Sequence, residues 1–260
     1  ATGATLTLVP EEFPGESIGL NHVVDVLVGS IIKRISYGKS DGVAILAEGI
    51  VERLKIEDLD QLVDIERDAH DNIRIAEVNF GEILKIKVQQ KLKEYGIKVT
   101  IVAKNIGYEL RCADPIPFDM EYTRDLGFSA SQFILDGGSG AMISIQNGRF
   151  VPLYFKDILD PVTKRTRVRM VDPSSESFYI ARKYMLRLNQ SDFQDPHELA
   201  KLAATAHLSI EEFKKRYYYL IENDLLYKNL KDGNVSFYTS DSNIAHKVLS
   251  SPRQNGDIID

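Results

Sequence analysis

Apolar positions near the start of the chain change period twice, and each change marks an element. Thr5 to Val9 is a short apolar run with β-branched residues, closed by Pro10, and predicts a buried strand. Leu20, Val23, Val24, Leu27, Val28, Ile31, Ile32 and Ile35 then recur at helical spacing, with Gly38 as the stop. Val43 to Ala47, entered through Asp41-Gly42, predicts a second buried strand. Two continuous apolar strands around one helix are the pattern of a right-handed parallel unit in an α/β sheet.

From Ile56 to Tyr95 the pattern is charged and mostly helical, clearest over Glu82 to Tyr95 before Gly96. Ile97 to Ala103 predicts a third strand. Asp119 to Asp136 predicts a helix, preceded by the breakers Pro115 and Pro117 and closed by Gly137-Gly138. Ala141 to Gln146 predicts a fourth strand, and Asn147-Gly148 a tight turn into Arg149 to Phe155. After Pro173 the strand patterns largely stop. Asp195-Pro196-His197-Glu198 sets an N-cap, a first-turn proline and an acid in order, and Ser209-Ile-Glu-Glu212 is a capping box. Residues 195–230 therefore read as a small helical appendage, with a polar, frayed tail from Ser240.

The composition is that of an ordinary globular protein, 43% hydrophobic and 27% charged over 260 residues. No run approaches the roughly 18 consecutive apolar residues of a membrane span, and Ala1 to Pro14 shows no secretory signal. There is no initiator Met, so Ala1 reads as a processed terminus or a cut through a longer chain. The single cysteine, Cys112, excludes an internal disulfide and suits a reducing compartment. A net charge of −6 argues against a general nucleic-acid binder, yet local arginines can still hold anionic small molecules. The five histidines are scattered without metal-ligand spacing, so no zinc site is expected.

Parallel α/β sheets bind ligands beyond the carboxyl ends of their strands. Glu48 stands there, directly after the second strand. Its carboxylate can accept hydrogen bonds from sugar hydroxyls, while Gly49 admits close backbone approach. An acid at a helix start fits the same position. After the third strand, the segment Lys104-Asn105-Ile106-Gly107-Tyr108-Glu109-Leu110-Arg111 gathers an ammonium, a phenol and a guanidinium that can hold a phosphate. A solvated strand edge is the plainer alternative. Lys164 precedes Arg165, Arg167 and Arg169, which alternate and so share one face of a strand, toward phosphate, an acidic neighbour or solvent. Asp119, Glu121 and Asp125 fit a charged helix face better than acid–base chemistry. Cys112 beside Arg111 fits a small buried residue better than a reactive thiol.

Taken together, these segments resemble the 6-phosphofructokinase family, most of all its long diphosphate-dependent branch. Leu8-Val-Pro-Glu-Glu-Phe13 resembles the family's strand-end proline–acid motif. Ile32-Lys-Arg-Ile-Ser-Tyr-Gly-Lys39 through Gly42-Val-Ala-Ile-Leu-Ala-Glu-Gly49 resembles the helix and strand leading to its sugar-binding glutamate. Ile106-Gly-Tyr-Glu-Leu-Arg111 with Asp114-Pro-Ile-Pro-Phe-Asp-Met-Glu-Tyr-Thr-Arg-Asp-Leu-Gly127 is the most specific match. Gly140-Ala-Met-Ile-Ser-Ile-Gln146 and Arg165-Thr-Arg-Val-Arg-Met-Val-Asp172 extend it, so that the similarity covers about residues 5–188.

The resemblance implies an α/β fold of doubly wound parallel sheets, incomplete here, with a small helical C-terminal appendage. Residues 1–110 would form most of the fructose 6-phosphate lobe and 111–150 part of the donor lobe. A return segment over 151–190 and the appendage with its tail over 191–260 would follow. Glu48 would bond fructose hydroxyls, and Tyr108 and Arg111 would lie at the 6-phosphate with Lys104 assisting. Tyr108 stands where short ATP-dependent members carry a histidine. Val102 stands where they carry an arginine that reaches across from the next subunit, so that contact is not implied here.

The family's glycine-rich phosphate loop, Thr-Ile-Asp catalytic motif and Met-Gly-Arg sugar motif lie upstream of the segment that resembles Ala1, and none occurs in this sequence. The resemblance thus implies the carboxy-terminal part of a cytoplasmic, homo-oligomeric, magnesium-dependent glycolytic enzyme. That enzyme would phosphorylate the 1-hydroxyl of fructose 6-phosphate from diphosphate or ATP. Its base and metal ligands would lie outside this chain, which alone would be inactive. The alternatives are a non-catalytic sugar-phosphate-binding subunit or truncated paralogue, and an unrelated nucleotide-binding α/β protein. No nucleic-acid or membrane partner is expected.

Overall fold

Strand β1 (Leu6–Leu8) buries Leu6 and Leu8 and gives way to a 3-10 turn at Pro10–Glu12, where the proline has no N–H to continue a ladder. Helix α1 (Leu20–Ser36) is apolar on most of its circumference, so it is buried rather than laid on a surface: Leu20, Val23, Val24, Val28 and Ile32 are almost fully covered. Each such side chain contributes roughly 1.5–3 kcal/mol through burial. Strand β2 (Ala44–Leu46) then returns parallel to β1, with Leu6 opposite Ala44 and Leu8 opposite Leu46. This computed structural model describes residues 3–59, 79–107, 112–161, 166, 170–222 and 224.

Two short helices follow, α2 (Gly49–Glu52) and α3 (Ile56–Leu59). Helix α4 (Phe80–Glu94) starts two residues ahead of the predicted helix and is capped by Asn79, whose side chain accepts from the Glu82 N–H. It turns Leu84, Val88 and Leu92 inward. The predicted strand over 97–103 is corrected: it forms no strand among the described residues. Ile97, Val99 and Ile101 still pack against the core and alternate with exposed neighbours. A period of two selects which residues face inward, but a strand also needs a ladder partner. The Val99 carbonyl is taken instead by Gln89 Nε2 at 3.3 Å.

The chain falls into two compact units, one drawn from Ala1–Ala103 and Val171–Asp260, the other from Lys104–Met170. In the second unit, α5 (Pro117–Leu135) starts on its proline, and Asp119 Oδ2 accepts from the Ile116 N–H at 3.0 Å. Strands β3 (Ala141–Gln146) and β4 (Arg149–Tyr154) form an antiparallel hairpin with Gln146 opposite Arg149. Asn147 and Gly148 have φ of 51° and 71°, the two positive values that a type I′ turn requires. The Phe133 ring of α5 lies 6.0 Å from that of Phe150 on β4. A short helix, α6 (Phe155–Ile158), ends this run.

The chain returns to the first unit through α7 (Glu176–Lys183), α8 (Gln190–Gln194), α9 (Pro196–Thr205), α10 (Ile210–Tyr217) and α11 (Tyr219–Glu222). The predicted caps are formed: Asp195 Oδ1 accepts from the His197 N–H at 2.9 Å, and Ser209 and Glu212 bond reciprocally. These helices are not an appendage. Leu199, Leu202, Ala203, Phe213, Tyr217 and Leu220 are buried in the same core as α1, against which α9 and α11 pack. Capping signals locate helix ends but do not tell which face meets what. Near the carboxy-terminal end of α1, Lys33 and Asp192 form a buried ion pair at 2.7 Å, and Lys33 also donates to the Arg187 carbonyl at 3.0 Å. The polar tail lies outside the described residues.

Candidate functional site

The carboxyl ends of β1 and β2 lie side by side because the strands are parallel and in register. The Ala47 N–H donates to the Leu8 carbonyl at 2.9 Å, carrying the pairing one residue past β2. Glu48 comes next, with backbone φ −55° and ψ −36°, already helical ahead of α2. Its side chain is exposed and forms no cap bond with α2, although an acid at that position is well placed for one. Below it, Ile50 and Val51 are buried and hold α2 to the core. A side-chain carbon at Gly49 would stand 3.4 Å from the Pro10 ring, so the two strand ends touch here.

The loop after β1 is fixed from both sides. From the α2 side, the Arg53 guanidinium donates to the carbonyls of Pro10, Phe13, Gly15 and Glu16. From beneath, the buried Glu12 accepts from its own Val9 N–H at 2.9 Å and from Arg187 Nη1 at 2.5 Å. Arg182 stands 3.9 Å from the same carboxylate and is paired with Asp224. Burial, then the like charge of Arg187, pulls the Arg182 guanidinium below its ordinary value. His22 packs edge-on against Phe13 and Tyr219, and burial followed by Arg187 lowers its pKa too. Glu11 Oε1 accepts from the Val171 N–H at 2.9 Å. Glu11 and Glu12 are thus engaged within the protein, while Glu48 presents its carboxylate to solvent.

The other predicted site residues are placed less fully. Lys104 is exposed and belongs to the second unit. Tyr108 and Arg111 lie outside the described residues, as do Lys164, Arg165, Arg167 and Arg169. Cys112 is exposed, which corrects its reading as a small buried residue. Asp119 caps α5, and Glu121 and Asp125 are exposed on it, as a charged helix face implies. Among the described residues no three His, Cys, Asp or Glu side chains gather to hold a metal. No described helix is long and apolar enough to cross a membrane. The Arg53 clamp and the Glu12–Arg187 pair were not anticipated from sequence; their partners lie far off in the chain and no spacing marks them.

No family model matches the chain. It is 43% identical over 231 residues to a pyrophosphate–fructose 6-phosphate 1-phosphotransferase of Naegleria fowleri, a match covering 85% of this chain and 53% of that relative. It is 45% identical over 227 residues to a protein of the same name from Thermotoga maritima, covering 85% of this chain and 54% of the relative. A pyrophosphate–fructose 6-phosphate 1-phosphotransferase subunit beta of Ricinus communis is 25% identical over 191 residues, covering 56% and 35%. The chain spans about half the length of the two most similar of these curated relatives.

Proposed function

Since this chain belongs to the pyrophosphate-dependent branch of the phosphofructokinase family, we propose that it is the carboxy-terminal part of an enzyme that transfers a phosphoryl group from diphosphate to the 1-hydroxyl of fructose 6-phosphate. The observation that supports this is Glu48, an exposed carboxylate just past β2 that is not used to cap its own helix; the segment around it resembles the one that carries the family's sugar-binding glutamate. Glu48 accepts hydrogen bonds from the fructose hydroxyls. Arg111 holds the 6-phosphate through its two-pronged guanidinium, the Tyr108 hydroxyl donates beside it, and Lys104 adds a point charge.

On this reading the whole fold is doubly wound, with residues 1–110 forming most of the sugar lobe and 111–150 part of the donor lobe. Residues 151–190 are the return segment. The enzyme is a cytoplasmic homo-oligomer of glycolysis, and ATP is the alternative donor. Magnesium, when bound, would screen the transferring phosphates. The described residues do not fit a site for it, since no three acidic, His or Cys side chains gather among them. The Thr-Ile-Asp motif that would supply the base is absent from the 260 residues. The chain by itself therefore binds the sugar phosphate without turning it over.

The test is fructose 6-phosphate affinity in Arg111→Ala, Arg111→Lys and Glu48→Gln. Losing a hydrogen bond to a charged group costs about 1.5–3 kcal/mol, so Arg111→Ala is expected to weaken binding about ten- to a hundredfold. Arg111→Lys recovers only part, since an ammonium lacks the fork. Glu48→Gln also weakens phosphate-free fructose analogues. Arg124→Ala, on the exposed side of α5, is the control. Unchanged affinity in Arg111→Ala together with loss in Arg124→Ala would overturn the reading.

A further inference from the structure

Arg53 follows α2 immediately, and its side chain is spent on main-chain carbonyls. Nη1 donates to Pro10 O at 2.5 Å, Nη2 to Phe13 O at 3.3 Å and to Gly15 O, and Nε to Glu16 O at 3.3 Å. The backbone repeats the link: the Ile18 N–H donates to the Arg53 carbonyl at 2.5 Å, and the Lys55 N–H to Ile18 O at 3.1 Å. One residue therefore laces the whole turn after β1 to the end of the helix that begins at Glu48.

We propose that Arg53 is a positioning residue for sugar binding, which fixes the direction of α2 and thereby the place of the Glu48 carboxylate. This rests on the reading of Glu48 given above. A helix of four residues has too few internal bonds to set its own direction. Two things set it here: Ile50 and Val51 in the core beneath, and Arg53 at its far end. The Glu48 backbone is already helical and its side chain has no cap bond, so the carboxylate turns with α2. Arg53 is half-buried, and water can replace it on the loop carbonyls. Its loss leaves the fold standing but frees α2 to wander, and a ligand must then bear the cost of ordering the site.

The experiment is a double-mutant cycle on fructose 6-phosphate binding, read by titration calorimetry on the whole 260-residue chain with the melting temperature followed alongside. Glu48→Gln and Arg53→Ala are each expected to weaken binding about tenfold, and the double variant hardly further, because Arg53 acts through Glu48. Arg53→Lys, which offers a point charge in place of a fork, falls between and decides the matter should Arg53→Ala fail to fold. If Glu48→Gln weakens binding while the Arg53 variants bind normally, or their losses add in full to that of Glu48→Gln, the role of Arg53 is overturned and the sugar site stands. Absence of binding by the unmodified chain, or binding indifferent to Glu48→Gln, overturns both.

Discussion

The two units reach order by different routes. The first surrounds α1 with side chains from β1, α4, α9, α10 and α11, and residues such as Leu8, Val28, Leu202 and Phe213 are fully out of water. In the second, no described residue is buried. Its 19-residue helix α5 turns Phe133 onto the hairpin and leaves Phe128 and Leu135 72% and 80% exposed. Yet its elements are as regular as those of the first. Turn and cap chemistry at Asn147-Gly148, Pro117 and Asp119 is enough to shape a helix and a hairpin. Burial is what makes a shape resist unfolding.

The most direct way to break this comparison is to truncate one ring in each unit. Phe213→Ala is expected to cost about 3–5 kcal/mol, against about 1 kcal/mol for the half-exposed Phe133→Ala. Hydrogen exchange read separately for α10 and for β3–β4 checks it. Equal losses would show that the second unit has a core of its own.

A smaller change in stability but a visible one in association is expected from Phe128→Ser with Leu135→Ser. Stability should move by under about 0.5 kcal/mol, since both side chains are already in water. Self-association in sedimentation should fall, because two large apolar side chains exposed on one face of α5 are removed. Association unchanged by the pair would place the sticky surface elsewhere.

The smallest effect is a response to pH that only the first unit can show through a histidine, since none lies in 104–170. The folded pKa of His22 is held below its ordinary value of 6.5, first by burial and then by Arg187, with Asp25, Glu12 and Asp224 opposing. The unfolded chain therefore takes up the proton first. The contribution of His22 is fully present above pH 6.5 and is lost as pH falls from there through the lower, folded value. Urea melts at about pH 7.5 and about pH 5.5 should show that slope, and His22→Gln should flatten it. An identical slope in His22→Gln would assign the effect to other groups.

What was legible in the sequence was local. The spacing of Leu20 to Ile35, the Asn147-Gly148 turn and the Ser209–Glu212 box each act within a few residues, and each appears where the pattern put it. The place of Glu48 was legible for the same reason, two residues past the short strand β2. The rest depended on distant partners. Lys33 reads as a basic residue near the end of a helix and is instead buried against Asp192, 159 positions away. Glu12 and Arg187, which brace the loop beside Glu48, are 175 positions apart. For Ile97 to Ala103 the inward residues were legible and the pairing was not, because pairing belongs to two segments and periodicity to one.

The first unit is split in the chain, with residues 1–103 and 171–260 on either side of the second. During synthesis the protein emerges from its amino terminus, so α1 and α4 leave the ribosome long before α9 to α11 exist to cover them. Val23, Val28 and Leu92 must spend that interval in water, in a chaperone, or against each other. The intervening residues add a loop whose closure has to be met before the two halves meet, a cost that grows only slowly with length. That interval is the period of greatest exposure to aggregation, and it ends when Phe213 and Tyr217 arrive to seal the core.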